Sequence, residues 1–334
     1  MLNIGILGAG FMGGTHARAF AGLPDVHVAG VTSRSADRAT ALAREVGAEP
    51  FTDALALVRD PRVDAVSITL PTHLHREYTT AALEAGKHVL LEKPMALSVP
   101  DCDAMIEVAQ KNRRILMVAH VLRFWPEYTA LVGFLQTGQI GKALSATAQR
   151  LAGPPRWSDW LLHPELSGGE VLDLHIHDLD TFNWLFGQPR TVYSRGQRSS
   201  ETNGWDLALT LVDYGAVRAF AEGSALQPLD YPFTMNLCVL CEQGSVEFRS
   251  RAGGVQVDSR DAGTNSLLVY EGGRAPYALP VIPGDGYANQ AAYFADCVRS
   301  GRAPERGTAR QARLAVQTAL AARESLETGR VIAL

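Results

Sequence analysis

The chain has 334 residues, 46% of them hydrophobic and 20% charged, with a formal net charge of -4 at pH 7. That balance belongs to a globular protein long enough for two domains, not to a disordered chain. No block of like charge marks a nucleic-acid or membrane-surface binder, and no apolar run approaches the roughly 20 residues of a membrane span. The start, MLNIGILGAG, lacks the charged opening and long apolar stretch of a signal peptide, so a cytoplasmic location is expected. Four cysteines, Cys102, Cys238, Cys241 and Cys297, are too few and too scattered for a disulfide framework. Cys238 and Cys241 lie in the alternating run FTMNLCVLC, where residues three apart point to opposite faces of a strand. They read as small packing residues, not as a redox or metal pair.

In chain order, a short β-run from Asn3 to Leu7 is followed by GAGFMGGTHARAF. Gly8, Gly10 and Gly13, with Phe11 and Met12 between the last two, make the G-x-G-x-x-G spacing of a dinucleotide site. The glycines allow a tight turn, close approach of a pyrophosphate and close helix–strand packing. The N–H groups of the following helix would face the phosphates. The second strand, VHVAGV, runs into TSRSADRA. Where an NAD-specific site places an acidic residue for the ribose 2′-hydroxyl, this chain has Thr32, Ser33 and Arg34, with Arg38 one helical turn on. Hydroxyls and guanidinium groups suit a 2′-phosphate, so NADP is expected ahead of NAD.

Helices and strands then alternate: a helix ADRATALAREV closed by Gly47, a short strand at Pro50 and Phe51, a helix through Leu57, the strand VDAVSITL, the helix THLHREYTTAALEAGK, the strand HVLLEKP, the helix SVPDCDAMIEVAQKNRR and the strand ILMVAH. Alternation of this kind predicts a right-handed, parallel, doubly wound sheet over residues 1–120. Ligands of such sheets sit at the carboxyl ends of the strands. Pro71, Thr72 and His75 follow one strand there, and Lys93 follows another. Proline holds the residue before it extended, and a lysine at a strand end needs a partner. Lys93 is therefore expected to touch the substrate. His73 and His75 lack a third ligand, so no metal is expected.

Past His120 the pattern changes. Arg123, Trp125 and Tyr128 lead into a helix, and residues 121–334 form the second expected domain. The runs ALSATAQRL, RTVYSRGQ, DLALTLVDY, VRAFAEGSA, FTMNLCVLC, GSVEFRS and GVQVDS predict an open, antiparallel sheet. The stretch from Asn289 to Thr328 reads as helical, with an interruption near SGRAPERG. One segment, SGGEVLDLHIHDLDTFNWLFG, breaks the β pattern. Leu172, Ile176, Leu179 and Phe186 recur at helical spacing and predict one helix that stops at Gly187. On it Asp173 and His177 are four apart and share a face, which Asp180 continues. His175 lies about 200° round from His177 at 3.6 residues per turn. A carboxylate–imidazole pair suits proton transfer near neutral pH.

GAGFMG, LPTHLH, AALEAGKHVLLEKPMA, SGGEVLDLHIHDLD and the ending ESLETGRVIAL together resemble the Gfo/Idh/MocA family, named for glucose-fructose oxidoreductase, inositol dehydrogenase and rhizopine catabolism. The resemblance implies an α/β protein, with an N-terminal Rossmann dinucleotide-binding domain and a C-terminal α/β domain containing an open, mostly antiparallel sheet. That sheet is expected to join a homodimer or homotetramer. The implied activity is NAD(P)-dependent hydride transfer on a sugar, a polyol or a derivative. By resemblance Lys93, Asp173 and His177 form the catalytic set. Gly8, Gly10, Gly13, Pro71, His75 and Glu92 match cofactor-side positions, and Arg123 and Trp160 match positions facing the sugar. His175 departs from the glycine common between the paired Asp and His. Three alternatives remain: an NAD-dependent, non-redox glycosidase or epimerase; a cofactor-sensing regulatory protein on the same fold; and a pterin- or biliverdin-type reductase, which would be expected to lack the sugar-pocket arginine and tryptophan. The intact set of three counts against the second.

Overall fold

Leu2, Ile4 and Ile6 are buried, and so are their neighbours Gly5 and Leu7. Burial on both faces is what a central strand of a parallel sheet requires. The computed structural model describes residues 1–156, 158–255 and 263–334. The first strand, β1 (Leu2–Leu7), is followed by α1 (Phe11–Ala21), β2 (Val26–Thr32), α2 (Ala36–Val46), β3 (Glu49–Phe51), α3 (Ala54–Arg59), β4 (Ala65–Ile68), α4 (His75–Glu84), β5 (His88–Leu91), α5 (Val99–Asn112) and β6 (Leu116–Val118). The six strands pair in the order β3-β2-β1-β4-β5-β6, all parallel. This is the doubly wound order, with its switch point between β1 and β4.

Local chemistry sets the helix ends. Ser35, Asp53 and Ser98 cap α2, α3 and α5 by accepting a backbone N–H in the first turn. Gly47 closes α2 at φ +71°, the left-handed conformation that glycine adopts without penalty.

The chain continues through α6 (Pro126–Gln136), β7 (Ala143–Leu151), α7 (Pro164–Ser167), α8 (Gly169–Asp173), α9 (Ile176–Phe186), β8 (Thr191–Arg198), β9 (Trp205–Asp213), β10 (Arg218–Ser224), β11 (Thr234–Cys241), β12 (Gly244–Arg251), β13 (Thr264–Glu271) and β14 (Tyr277–Ala278). It ends with α10 (Gly286–Ser300), α11 (Ala309–Thr328) and β15 (Ile332–Ala333). Nine strands form one open sheet in the order β14-β13-β12-β11-β7-β10-β9-β8-β15. Every pairing is antiparallel except β10 with β7. One face buries Ala146, Ala148, Val212, Ala219, Leu237, Val246 and Phe248. The alternate residues Leu211, Phe220, Leu240 and Tyr270 remain exposed. Cys238 and Cys241 fall on opposite sides of β11, the first half-buried and the second buried.

Two units divide the chain. The first comprises Met1–Trp125 and Gly284–Arg313, the second Pro126–Pro283 and Leu314–Leu334. The expected boundary after residue 120 puts all of 284–313 in the second domain, whereas the chain folds this segment onto the first unit. Phe294 of α10 packs edge-on against Phe20 of α1 with ring centroids 6.2 Å apart, and Ala291 and Ala295 join the same core.

Three readings of the sequence are corrected or extended. The single helix expected over 167–187 is two helices, α8 and α9, preceded by the short α7. Gly168 takes φ +86° between α7 and α8, and the chain bends at Leu174 and His175 before α9 begins. There the His175 N–H reaches back to the Glu170 carbonyl and the His177 N–H only to Leu174, a widened turn followed by a tightened one. Apolar spacing survives such a break, which is why periodicity alone missed it. Arg123 belongs to a short 3-10 turn, Val121–Phe124, ahead of α6. The expected strand GVQVDS lies mostly outside the described residues, and β13 follows it unforeseen.

Candidate active site

In the first unit, the carboxyl ends of β1, β4 and β5 carry the residues singled out for cofactor and substrate. Gly8 adopts φ +110°, and a Cβ there would meet the Thr69 carbonyl at 2.8 Å. A Cβ on Gly13 would lie 1.9 Å from the Gly8 carbonyl oxygen. Both positions therefore demand glycine. Gly10 has open space where a side chain would project. It begins α1 with no side-chain cap and no acidic residue in the first turn, so the helix end is free to take a negative charge. After β4, the buried Thr72 hydroxyl has no hydrogen-bond partner among the described residues. These features fit a dinucleotide pyrophosphate.

At the end of β2, Ser33 accepts the Ser35 N–H and Ser35 accepts the Arg38 N–H, which shapes the start of α2. Arg34 and Arg38 are exposed. Neither has an ion-pair partner among the described residues, so both guanidinium groups are available to a phosphate.

Pro71 begins a short 3-10 turn, Thr72–Leu74, that leads into α4. His75 is buried, with Nε2 2.8 Å from the Leu70 carbonyl oxygen and Nδ1 2.9 Å from that of Pro94. It braces the loop after β4 against the loop after β5. Burial pushes its imidazolium down, against the pull of those carbonyls and of Glu92. Glu92 is buried and Lys93 half-buried just past β5. Glu92 Oε2 accepts the Lys93 N–H at 3.0 Å, and Oε1 lies 3.0 Å from His16 Nε2. Sequence reasoning missed His16. Its only signal was a place on the buried stripe of α1, with Gly13, Ala17 and Phe20.

In the second unit, Asp173 ends α8 and His177 is the second residue of α9. Both are half-buried, while His175, Ile176 and Asp178 around them are buried. His175 turns onto the sheet: its Nε2 lies 2.8 Å from Thr210 Oγ1, and burial, aided by Arg150, pushes it down to about 3. It is a neutral structural imidazole. Glu170, one turn before Asp173, is buried with no hydrogen-bond partner among the described residues for either oxygen. Burial first, then Asp206, Asp173 and Asp178, push its carboxyl well above the usual range. Trp160 is half-buried in a 3-10 turn, Asp159–Leu162. Arg123, in the first unit, is 1% exposed. Among the described residues no group of three His, Cys, Asp or Glu side chains is placed to hold a metal ion, and no helix is long and apolar enough to cross a membrane.

A second feature unforeseen from sequence anchors α9. Arg150 of β7 grips both oxygens of Asp178, at 3.0 and 2.8 Å, and its Nη2 also lies 3.3 Å from the Tyr128 hydroxyl. The two side chains of the pair are 3% and 1% exposed. Asp178→Ala leaves a buried guanidinium without its counter-charge and is expected to destabilise the fold by about 3–5 kcal/mol. Urea unfolding measures this, and the double variant Arg150→Met/Asp178→Leu is expected to recover most of the loss.

Comparison with known proteins gives these features a context. Residues 2–120 match the family model for the oxidoreductase family, NAD-binding Rossmann fold, and residues 128–247 match the GFO/IDH/MocA C-terminal domain. The chain is 38% identical over 161 residues to 1,5-anhydro-D-fructose reductase of Ensifer adhaerens, covering 47% of this chain and 48% of that protein. It is 28% identical over 310 residues to scyllo-inositol 2-dehydrogenase (NAD(+)) of Bacillus subtilis, covering 90% and 86%. The match spans about half the length of the curated relatives of higher identity. Among solved structures, UDP-N-acetylglucosamine 3-dehydrogenase of Acidithiobacillus ferrooxidans is similar at a TM-score of 0.79 and 26% identity, with 98% of each chain covered. The glycine turn, the parallel sheet and the two matched regions agree: the chain belongs to the GFO/IDH/MocA oxidoreductase family, with an NAD(P)-binding Rossmann domain followed by the family's C-terminal domain.

Proposed function

We propose that the protein is an NAD(P)-dependent dehydrogenase or reductase that moves hydride between nicotinamide and a secondary alcohol or ketone of a sugar, polyol or derivative. The observation that carries the reading is Lys93. A half-buried cation stands just past the carboxyl end of β5, on the same edge of the parallel sheet as the glycine turn after β1. Residues 1–120 bind the cofactor and the remainder supplies the substrate site. When bound, the nicotinamide supplies the hydride acceptor or donor.

The chain's own residues then have distinct tasks. Gly8, Gly10 and Gly13 admit the pyrophosphate, with the Phe11, Met12 and Gly13 N–H groups facing it. Pro71, Thr72 and Glu92 complete the cofactor wall. Lys93 donates to the substrate oxygen and stabilises it as an alkoxide. His177 takes the hydroxyl proton in oxidation and returns it in reduction, and Asp173 orients the imidazole. Arg123 and Trp160 bind the rest of the substrate. A glycosidase or epimerase with transient oxidation uses the same groups but needs no external cofactor.

The test is a screen of sugars and polyols with NAD and NADP in parallel, following reduced nicotinamide. Turnover that depends on added cofactor supports the reading, and turnover without it supports the non-redox alternative. NADP is the expected preference, because Arg34 and Arg38 are exposed and without ion-pair partners among the described residues, and Ser33 and Arg34 stand directly after β2 where an acidic residue would serve NAD. Arg34→Glu is expected to raise the Kd for NADP by about 10- to 100-fold, since losing a charge-assisted bond costs about 1.5–3 kcal/mol. The Kd for NAD should hardly change. A wild-type protein that strongly prefers NAD would overturn this assignment.

The reading includes a cytoplasmic enzyme and a homodimer or homotetramer. Leu211, Phe220, Leu240 and Tyr270 give the open face of the nine-stranded sheet an apolar surface suited to a second copy.

A further inference from the structure

Behind Lys93, inside the first unit, three buried polar side chains stand in a row. Ser67 lies in β4, His16 in α1 and Glu92 just past β5, and they are 0%, 2% and 5% exposed. Ser67 Oγ is 2.7 Å from His16 Nδ1, and His16 Nε2 is 3.0 Å from Glu92 Oε1. The other Glu92 oxygen holds the Lys93 N–H at 3.0 Å. Apolar side chains would fill this core at lower cost than a carboxylate. The arrangement therefore needs a reason beyond packing.

We propose that His16 is a positioning residue for Lys93: it grips one oxygen of Glu92 so that the other oxygen fixes the Lys93 backbone. The inference rests on the assignment of Lys93 to the substrate. His16 follows Gly13 by three residues on the same helix. The helix that begins at the phosphate turn thus also sets where the lysine starts. Ser67 orients the imidazole, and its hydroxyl satisfies the nitrogen that faces away from Glu92.

Charge follows the same path. Burial pushes the Glu92 carboxyl up, but His16 on α1, then Lys93 beside it and His75 on α4, more than offset this and hold it below the usual range. Glu92 is then a carboxylate that only accepts, as the Lys93 N–H requires. Without His16, burial dominates and Glu92 takes up a proton as pH falls toward neutral. The variant therefore loses activity on the acidic side, where the wild type keeps a charged Glu92.

The experiment compares wild type with His16→Leu, His16→Gln and Ser67→Ala. Glutamate labelled with 13C at the carboxyl carbon reports Glu92, its signal assigned by loss in Glu92→Gln. Reductive 13C-methylation reports Lys93 as one of only four lysines in the chain, assigned with Lys93→Arg. In His16→Leu the Glu92 titration is expected to move up by about two pH units, and the Lys93 methyl signal to shift. The kcat should fall about 10- to 100-fold, with the Kd for NADPH, read by fluorescence titration, unchanged. His16→Gln keeps an N–H for the same oxygen and is expected to restore most of the rate.

Should His16→Leu fail to fold, Ser67→Ala reads the same Glu92 shift in a smaller degree. An unmoved Glu92 titration in the folded variant, or an equal rate loss in His16→Gln and His16→Leu, overturns the proposal. The two resonance readouts need no turnover. A screen that finds no substrate therefore defeats the sugar reading alone, and the link from His16 to Lys93 is still decided.

Discussion

Lys93→Met is expected to lower kcat by about 10²- to 10³-fold while leaving the Kd for NADPH within a few-fold of wild type. Methionine keeps the length and apolar stem of lysine and removes only the ammonium. In oxidation, negative charge appears on the substrate oxygen as hydride departs, and a fixed cation lowers the energy of that state more than of the ground state. In the proposed assignment, cofactor binding rests on other groups, namely the Gly8–Gly13 turn and the arginines after β2. The expected signature is thus a fall in kcat without a matching loss of cofactor affinity. Rapid-mixing measurement of nicotinamide reduction, beside a fluorescence titration, checks both halves. A variant that keeps its rate removes Lys93 from the chemistry.

His177→Ala is the second large effect, a loss of about 10²- to 10⁴-fold in hydride transfer. An imidazole is the side chain that changes charge near neutral pH. Oxidation needs it neutral, ready to accept the hydroxyl proton, so the wild-type rate falls as pH falls. In the variant that acidic limb should vanish, and the remaining rate should climb with pH as hydroxide takes over. Reduction inverts the sign, because the proton must then be present at the start. Near-wild-type transfer in the variant would assign the proton to Lys93 instead. Measuring both directions against pH separates the two cases.

The first unit was legible because its punctuation is local. Gly8 and Gly13 report a turn that no other residue tolerates, Gly47 reports a left-handed helix stop, and the strands are apolar on both faces as parallel strands must be. The second unit hid more. Leu172, Ile176 and Leu179 keep helical spacing across the bend at Leu174 and His175, so the pattern showed an apolar face but not the break. Arg150 and Asp178 are 28 positions apart, and neither looks unusual in its own strand or helix. His16 and Ser67 were silent for the same reason. A single histidine on a buried helix stripe and a single serine in an apolar strand acquire meaning only when the fold brings them together. The helical character of the stretch from Asn289 was plain, while the partner of its Phe294, Phe20 near the other end of the chain, was not.

That last pairing bears on how the protein is made. A ribosome releases the chain from its amino end, at about 5–20 residues per second. All six strands of the doubly wound sheet emerge by Val118, yet Ala291, Phe294 and Ala295, which close the core over Phe20, arrive only after strands β7 to β14 of the second sheet have been synthesised. During this interval the nascent first unit has an uncovered apolar face, the kind of surface chaperones bind. Strands β7 to β14 of the second sheet are free to pair first, and the core of the unit that began the chain is closed almost last.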